Sequence, residues 1–416
     1  MLLSSCAQKV PIPSFDEDSL LSEATPMEPA SLRQLEGRWT LQSDDADAFW
    51  GDSLSLVVRQ GGISLFTPHN AYALLDAGCL ESGELVLEGY WREAPSTRTG
   101  LLQLFVRGDA AAQLCAGALL DERARTEMRL EGWHDERGED GQHSIEWGDW
   151  RPKREMPRFF ILAHRGGCRS SDYCGASENS LEVIKLAARF GADAVEVDVL
   201  STADGVPILF HDLAFSARLV NGPYCYGPVS EFTLAHVRAL CTLEQGERVP
   251  TLEEALDTII DETELGGVWL DIKDARSMQA AIDLGEQARQ RAESQGRALS
   301  LVYGLYSEEM MDAYRAAIKP DGASCLVELG RKDAIELGCQ VWAPRWTRGS
   351  MPDKVSEAQQ DGLVVAFWTL DETDFIDHFL QDSKPNALLT NRPWLVFERY
   401  QRLGESPPGP EPFPFP

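Results

Sequence analysis

The sequence lacks any apolar run long enough to cross a bilayer, because no stretch approaches the roughly 18 to 20 residues of a membrane-spanning helix. Basic residues are also scarce: 38 Lys and Arg stand against 67 Asp and Glu, for a formal net charge of −29. Such a charge repels nucleic acid and anionic membrane surfaces, so neither is expected as a bulk partner. An anionic small-molecule substrate would need a metal ion or local cations to overcome this field.

Length and apolar content are ample: the chain has 416 residues, 43% of them hydrophobic, which is more than one ordinary domain needs. Shifts in composition predict four segments: a flexible tether (1–30), an all-β accessory domain (31–153), an α/β domain (154–400) and a disordered Pro-rich tail (401–416). The all-β segment is expected to be a sandwich or a small barrel, since short strand candidates alternate with Gly, Asp and Ser breaks. The oligomeric state does not follow from this composition.

The N-terminal segment contains Leu3-Ser4-Ser5-Cys6, which resembles a bacterial lipobox, the motif whose cysteine is lipidated after signal cleavage. The charged and apolar regions that precede a lipobox are absent, so either the true start lies upstream or the match is chance. Removing Cys6 from the nine cysteines leaves eight, an even number suited to an oxidising compartment. Cys168 and Cys174 are close enough in sequence to bridge a small loop, with buried free cysteines as the alternative. We therefore expect an exported protein, periplasmic or in the cell envelope, with lipid anchoring at Cys6.

The all-β segment carries six tryptophans, which we expect to pack in its core and rim rather than to bind a sugar or lipid. They are Trp39, Trp50, Trp91, Trp133, Trp147 and Trp150. His69, His134 and His143 of the same segment have no carboxylate or cysteine partners at ligand spacing, so no catalytic site is expected there.

From residue 154 onward, strand and helix signals alternate, which predicts a (β/α)8 TIM-type barrel. Nine strand candidates compete for eight places, with 324–328 or 340–344 expected to be surplus: 159–164, 193–199, 207–211, 267–272, 299–304, 324–328, 340–344, 363–368 and 386–390. Helical patterns cover 179–190, 230–240, 251–262, 275–295, 307–318, 352–361 and 372–381. Only residues 199–206 link the second and third strand candidates, too few for a helical crossover, so we infer that this helix is missing.

Four consecutive strand candidates carry polar side chains at their carboxyl ends, the edge where α/β barrels hold their active sites. His164 and Arg165 follow the apolar run 159–163. Glu196 and Asp198 share one face of the next strand, because strand side chains alternate. The following two strands contribute His211, Asp271 and Lys273.

Acidic residues inside a barrel are costly unless a cation pairs with them, and a divalent metal is the simplest such cation. We therefore predict that Glu196, Asp198 and Asp271 bind one divalent metal ion. Arg165 and Lys273 are cations suited to a phosphate, while the two histidines suit acid–base catalysis near neutral pH. Together these groups indicate phosphodiester cleavage.

At these positions the chain resembles the glycerophosphodiester phosphodiesterase family, over about residues 158–398. The resemblance rests on an ordered set of motifs: His164-Arg165-Gly166, Glu178-Asn179-Ser180, Glu196-Val197-Asp198, Asp204-Gly205-Val206-Pro207, His211-Asp212, Pro250-Thr251-Leu252-Glu253-Glu254-Ala255-Leu256, Leu270-Asp271-Ile272-Lys273, Phe367-Trp368-Thr369 and Leu389-Thr390-Asn391-Arg392-Pro393. It implies a TIM-type barrel that hydrolyses glycerophosphodiesters, made by deacylating phospholipids, to glycerol 3-phosphate and an alcohol.

The resemblance also implies roles for single residues. It implies acid–base catalysis by His164 and His211, binding of one Ca²⁺ or Mg²⁺ by Glu196, Asp198 and Asp271, substrate contacts from Arg165, Lys273 and Trp368, and support from Glu178, Asn179 and Asp212. Which histidine is the base and which the acid stays open.

The chain departs from the family pattern at several places. Asp271 stands where the family usually has Glu, and Ser177-Glu178-Asn179-Ser180 stands for Pro-Glu-Asn-Thr. An insert from Cys168 to Ser177 and the segment 213–249 are expected to overhang the site and to shape the choice of alcohol.

Two alternatives to this hydrolase remain open. A phospholipase-type phosphodiesterase or lyase on a related barrel would act on intact phospholipid and release a cyclic phosphate. A non-catalytic binding lipoprotein would hold a glycan or partner on its β domain.

Overall fold

The computed structural model describes residues 10–15, 18–43, 50–155 and 159–403. The lipobox-like motif, Leu3 to Cys6, lies outside these residues, and so does the Pro-rich tail beyond residue 403. Among the described residues, no helix combines the length and the apolar character needed to cross a bilayer.

The N-terminal part, called here the β domain, forms a closed antiparallel barrel. Its strands are β1 (Thr25–Pro26), β2 (Gly37–Leu41), β3 (Ser53–Arg59), β4 (Gly62–Phe66), β5 (Ala71–Cys79), β6 (Leu85–Glu93), β7 (Thr99–Val106), β8 (Leu130–Asp135) and β9 (Gln142–Pro152). Strands β2 to β9 close a ring because β5 pairs with both β4 and β6, and β1 pairs with one end of β5. Of the two architectures expected for this segment, the structure has the barrel.

The interior of the β domain is apolar and rich in aromatic rings. Trp39, Trp50, Trp91 and Trp147 are fully buried. Trp50 packs against Trp91 and Trp147 with ring centroids 5.9 and 5.3 Å apart. These four tryptophans therefore serve packing, as expected.

Residues 18–30 differ from the predicted flexible tether. Thr25–Pro26 pairs with β5, and Oγ of Ser19 donates a 2.7 Å hydrogen bond to Glu88, whose other carboxylate oxygen accepts from the backbone N–H of Leu20. Glu88 is buried and needs such donors. The segment is ordered by hydrogen bonds to a strand edge and to a buried carboxylate, which an apolar pattern in its own sequence does not reveal.

The second part forms the (β/α)8 barrel, as predicted. Its strands, with those of a small lobe, are β10 (Phe160–Ala163), β11 (Ala194–Ser201), β12 (Pro207–Leu209), β13 (Ala214–Phe215), β14 (Val220–Asn221), β15 (Gly227–Pro228), β16 (Thr242–Leu243), β17 (Gly267–Ile272), β18 (Ser300–Leu305), β19 (Ser324–Val327), β20 (Val341–Trp342), β21 (Val364–Phe367) and β22 (Ala387–Thr390). Parallel pairing runs from β10 through β11 and β17 to β22, and β22 pairs with β10 to close the ring.

Helices α4 and α6 to α12 each follow a strand of this ring and cover its outside. The helices of the chain are α1 (Pro29–Leu32), α2 (Gly108–Cys115), α3 (Glu122–Glu127), α4 (Leu181–Ala187), α5 (Leu234–Leu240), α6 (Leu252–Glu262), α7 (Met278–Ser294), α8 (Glu308–Ala316), α9 (Arg331–Leu337), α10 (Pro352–Gln360), α11 (Thr373–Asp382) and α12 (Pro393–Arg402). Helices α9 and α12 were not predicted, and α2 and α3 interrupt the segment predicted as all-β.

The surplus strand is not the one expected. Candidates 324–328 and 340–344 both contain barrel strands, β19 and β20, whereas 207–211 contains β12, which pairs antiparallel with the end of β11. The Asp204-Gly205 turn closes this hairpin, so no crossover is needed between its strands. The inference of a missing helix between two parallel strands was therefore wrong.

The described cysteines all form disulfides. The pairs are Cys79–Cys115, Cys168–Cys174, Cys225–Cys241 and Cys325–Cys339. The second pair closes the small loop anticipated from the sequence. The third pair lies in residues 213–249, which form a lobe with its own apolar core.

The two domains share an aromatic interface built on α12. Phe66 and Tyr72 of the β domain pack against Phe397 and Trp394 of α12, with ring centroids 5.4 and 4.7 Å apart. Nε1 of Trp394 also donates a 2.8 Å hydrogen bond to Oδ1 of Asn70. Helix α12 is thus buried between the domains, and even its polar residues Glu398 and Gln401 are buried.

Candidate active site

The candidate site lies at the carboxyl ends of the barrel strands. Apolar side chains such as Leu162, Trp269 and Leu326 fill the barrel interior. Because strand side chains alternate, the next inward positions come two residues later, and there the side chains become polar. This polar layer consists of His164, Glu196, Asp198, Asp271, Lys273, Tyr306, Glu328, Arg345, Trp368 and Asn391.

Three carboxylates of the polar layer form a compact cluster, as predicted from the sequence. Glu196, Asp198 and Asp271 each place an oxygen within 4.8 Å of the others, and all three are buried. Oε1 of Glu196 and Oδ1 of Asp271 accept no hydrogen bond from any described residue. Ca²⁺ and Mg²⁺ take such oxygens as ligands, so this donor set fits a divalent metal.

Two basic side chains balance the charge of this acidic cluster. Nζ of Lys273 donates a hydrogen bond to Oδ2 of Asp271 and lies 3.2 Å from Oδ1 of Asp198, whose Oδ2 lies 3.2 Å from Nε of Arg165. Burial alone would raise the pKa of Asp198, but Lys273 and Arg165 hold it below its usual value. Burial, followed by the charges of Asp198 and Asp271, raises the pKa of Glu196. The cluster therefore still favours an additional cation.

Arg165 and the glycine after it form the sharp turn that opens the site. Arg165 has a φ of 53° and Gly166 a φ of 96°, a left-handed conformation that glycine adopts without strain. A Cβ atom on Gly166 would come within 2.2 Å of Cγ1 of Val183 in α4. In this turn the backbone N–H of Arg165 donates a 2.8 Å hydrogen bond to Oε2 of Glu196, which ties the turn to the acidic cluster.

The start of α4 supplies two of the predicted supporting residues. Glu178 accepts a 2.8 Å hydrogen bond from Nη1 of Arg165, and Nδ2 of Asn179 donates one of 2.8 Å to Oδ2 of Asp198. The backbone N–H of Asp198 donates in return to Oδ1 of Asn179 at 3.1 Å. Ser180 then caps the helix with its side chain. Glu178 and Asn179 thus orient a basic and an acidic member of the cluster.

His164 is held by a chain of two polar side chains. Its Nδ1 lies 2.8 Å from Oδ1 of Asn391, whose Nδ2 donates a 2.7 Å hydrogen bond to Oδ2 of Asp371. Its Nε2 lies 3.9 Å from Oε2 of Glu196. Burial, followed by the charge of Arg165, lowers the pKa of His164 to about 4, so the ring is neutral at pH 7.

His211 reaches the site from the antiparallel hairpin rather than from a parallel strand. The backbone N–H of Phe210, just after β12, donates a 3.1 Å hydrogen bond to the carbonyl oxygen of Asp198, which places His211 beside the acidic cluster. Nδ1 of His211 lies 2.8 Å from Oδ1 of Asp212, and Arg218 donates two hydrogen bonds to the same carboxylate. The residue was predicted correctly as a neighbour of the cluster, but the direction of its strand was wrong.

Parts of this barrel resemble known proteins in sequence. Residues 164–284 match the model of the glycerophosphoryl diester phosphodiesterase family. Glycerophosphodiester phosphodiesterase 1 of Mus musculus is 37% identical over 107 residues, which cover 24% of this chain and only 30% of the mouse protein. Probable glycerophosphodiester phosphodiesterase 2 of Mycobacterium tuberculosis is 29% identical over 245 residues, 55% of this chain and 86% of that protein. The barrel is therefore similar in sequence to members of the glycerophosphodiester phosphodiesterase family.

Solved structures of glycerophosphodiester phosphodiesterases resemble the barrel at low sequence identity. One from Parabacteroides distasonis has 20% identity and a TM-score of 0.47, over 59% of this chain and 97% of that chain. An Oleispira antarctica phosphodiesterase, solved in complex with the product sn-glycerol-3-phosphate, has 21% identity and a TM-score of 0.48, over 58% of this chain and 96% of that chain. Identities this low concern the fold alone.

A cleft of 590 Å³ opens beside His164. The loop closed by Cys168–Cys174 forms one wall, since Arg169 and Ser171 line the cleft. Asp172, buried in the same loop, accepts hydrogen bonds from Arg169 at 2.9 Å and from Arg392 at 3.1 Å. The predicted insert therefore does overhang the site.

Sequence reasoning missed several members of the polar layer. Tyr306, Glu328, Arg345 and Asn391 received no role, although each lies two positions beyond an inward-facing residue of its strand. Continuing the alternation past the last apolar residue of β18, β19 and β22 would have found Tyr306, Glu328 and Asn391, whereas β20 is too short to define an alternation for Arg345. No such sequence pattern indicates Asp371, because its position beside Asn391 depends on the loop between β21 and α11.

Proposed function

We propose that the chain is a metal-dependent phosphodiesterase that hydrolyses glycerophosphodiesters to glycerol 3-phosphate and an alcohol. The observation that carries this proposal is the meeting of three carboxylates, two basic side chains and two histidines in one barrel mouth. The names of the related proteins support the same reaction, and those relatives include a bacterial one matched over most of its length.

Glu196, Asp198 and Asp271 would hold one divalent ion, Ca²⁺ or Mg²⁺. Bound there, the ion would polarise a phosphoryl oxygen and offset the charge of the three acids. Asp271 is one methylene shorter than the usual Glu, and its hydrogen bond from Lys273 keeps that cation beside the cluster. Lys273 and Arg165 are then placed to contact phosphate oxygens.

His164 suits the role of general base. Because Nδ2 of Asn391 donates to the carboxylate of Asp371, the oxygen Oδ1 of Asn391 faces His164 and can only accept. Nδ1 of His164 therefore carries the proton of that contact, which leaves a lone pair on Nε2, the nitrogen nearer Glu196. The lowered pKa of the ring keeps it neutral at pH 7, as a base requires.

His211 suits the role of general acid. Nδ1 of His211 donates to the carboxylate of Asp212, and a carboxylate in this position orients the ring. In the proposed role the ring enters the reaction as the imidazolium, whose second proton, on Nε2, is the one given to the leaving oxygen. Arg218 holds the Asp212 carboxylate in place with hydrogen bonds of 2.7 and 3.0 Å.

In the proposed reaction, Nε2 of His164 takes the proton of the attacking hydroxyl, which belongs to water or to the substrate's glycerol 2-hydroxyl. A new P–O bond forms while the bond to the leaving alcohol breaks, and His211 gives its proton to the leaving oxygen. Attack by water yields glycerol 3-phosphate directly. Attack by the 2-hydroxyl yields a cyclic phosphate first, which water then opens.

Export from the cytoplasm is part of the proposal. Four disulfides support an oxidising compartment, where such bonds persist. Lipid anchoring rests on the Leu3 to Cys6 motif. Labelling of producing cells with palmitate should mark the wild-type chain and not a Cys6→Ala variant, and equal labelling of both would contradict anchoring at Cys6.

The experiment that tests the activity is a panel assay of the purified chain. The chain is incubated with each of four diesters in the presence of Ca²⁺, of Mg²⁺ or of a chelator. The diesters are glycerophosphocholine, glycerophosphoethanolamine, glycerophosphoglycerol and glycerophosphoinositol. The proposal expects an alcohol and glycerol 3-phosphate from at least one diester, only when metal is present. Failure with all four diesters would favour the binding lipoprotein instead.

A further inference from the structure

One half of the polar layer takes no part in the chemistry described above. Across the barrel mouth from the acidic cluster, Tyr306, Glu328, Arg345 and Trp368 line the side formed by β18 to β21. The ring of Tyr306 lies 5.3 Å from Nζ of Lys273, and its hydroxyl donates a 3.3 Å hydrogen bond to the carbonyl oxygen of that lysine. The guanidinium carbon of Arg345 lies 5.4 Å from the centre of the Trp368 ring. This half is thus continuous with the phosphate-binding lysine.

Glu328 is the unexplained residue of this half. Strand register pairs Asp271 with Gly304 and Gly304 with Leu326, so Glu328 lies one inward step above Leu326, level with Lys273. Its side chain is half-buried, and no described residue donates a hydrogen bond to its carboxyl group. Burial, followed by the charge of Asp271, raises its pKa. Its carboxyl group therefore keeps its acceptor capacity for a bound ligand.

The position of the general acid, His211, determines which part of a substrate reaches the side of the barrel mouth formed by β18 to β21. His211 lies on the hairpin beside β11, whereas β19 is three strands further around the ring. The leaving oxygen must lie beside the acid that protonates it. The group that keeps the phosphate therefore extends the other way, toward β18 to β21, and in a glycerophosphodiester that group is glycerol.

We propose that Glu328 is a specificity-determining residue, which accepts hydrogen bonds from the free hydroxyls of the glycerol moiety. This inference rests on the proposed function with water as the attacking nucleophile, and it names the part of the substrate that the chain selects. A carboxyl group with no bond of its own has the acceptor capacity that a vicinal diol requires. Register places Ala343 beside Glu328, so Arg345 lies one inward step further along and supplies donors there, paired with Trp368. The face of Trp368 supplies an apolar wall for the carbon chain.

The test compares two diesters that differ in the glycerol hydroxyls alone. Glycerophosphocholine and ethylphosphocholine share the phosphodiester and the leaving choline, and only the first has free hydroxyls. In Glu328→Ala, KM for glycerophosphocholine should rise about tenfold or more with a smaller change in kcat, because the hydrogen bonds to the glycerol hydroxyls are lost. Turnover of ethylphosphocholine should stay at the wild-type rate, and Glu328→Gln should restore part of the loss.

The matched control is Glu336→Ala, which removes an exposed carboxylate from the helix after β19. This variant should leave KM and kcat unchanged for both substrates. Calorimetry provides a readout without turnover: the metal-loaded wild type should prefer glycerol 3-phosphate to ethyl phosphate, and Glu328→Ala should lose that preference while its circular dichroism stays unchanged. An equal loss of activity on both diesters in Glu328→Ala, or an unchanged KM for both, would overturn the assignment. Failure of the wild type to cleave any diester would count against the proposed function, while the calorimetric preference would still test Glu328.

Discussion

Asn391 fixes the tautomer of His164, since its Oδ1 lies 2.8 Å from Nδ1 of the ring while Asp371 holds the other end of the amide at 2.7 Å. A loop after β21 thereby determines which nitrogen is free on a histidine at the end of β10. Asp371 accepts two further hydrogen bonds, from the Thr390 hydroxyl and from the backbone N–H of Asn391, so its own orientation is also fixed.

Replacing Asp371 with Asn should lower kcat at least about tenfold, because the amide of Asn391 would no longer have a fixed direction and Nε2 of His164 would not always be the free nitrogen. The acid limb of the pH–rate profile should move as well. Asp374→Asn, an exposed neighbour on α11, is the control and should behave as wild type. Steady-state kinetics check this prediction, and an unchanged kcat in Asp371→Asn would refute the role of the amide.

Replacing either histidine should abolish most turnover without removing the metal site. We expect kcat to fall by about 10²- to 10⁴-fold in His164→Ala and in His211→Ala, the usual worth of a positioned acid or base. Calorimetric binding of Ca²⁺ should persist in both variants, since neither residue is among the three predicted ligands. His236→Ala, on the exposed face of α5, is the control. Near-normal activity in either variant would defeat the assignment.

The two variants should also differ from each other when the leaving group changes. A p-nitrophenyl diester releases a weakly basic leaving group that needs no proton from an acid. His211→Ala should therefore recover much of its activity on that substrate, whereas His164→Ala should not. Recovery in His164→Ala instead would reverse the roles of base and acid.

Stability should depend on pH through His164. The pKa of His164 falls from its usual 6.5 to about 4 in the folded, metal-free chain, so the unfolded chain takes up this proton at higher pH than the folded one. The contribution of the neutral His164 ring to the free energy of unfolding is fully present above pH 6.5 and is lost as the pH falls toward 4. The total loss is on the order of 3 kcal/mol. Urea unfolding in chelator should show a steeper rise of stability with pH in wild type than in His164→Ala, and parallel curves would disprove it.

The acidic cluster could be predicted because it breaks a simple pattern. Glu196, Asp198 and Asp271 stand in strands whose other residues are apolar, and alternation puts their side chains inside the barrel. His211 could be predicted as a neighbour, although β12 runs antiparallel, because a tight hairpin and a strand end both bring a residue to the same rim.

Other parts of the site could not be predicted because neighbouring strands and loops determine them. Barrel strand β20 has only two residues, Val341–Trp342, so the inward direction of Arg345 follows from its partners and not from its own pattern. The contact between Asp371 and Asn391 joins a loop to a strand end. Helix α12 escaped prediction because it begins with the short apolar run 394–397, which does not distinguish a helix from a buried strand, and Phe397 of this run packs on Phe66.

The measurement that tests the central claim most directly is phosphorus NMR of glycerophosphocholine incubated with the purified wild-type chain. With Ca²⁺ or Mg²⁺ present, we predict that the diester signal is replaced by that of glycerol 3-phosphate, that chelator stops the conversion, and that excess metal restores it. A cyclic phosphate that accumulates as the stable product, or conversion that continues in chelator, would contradict metal-dependent hydrolysis at this site.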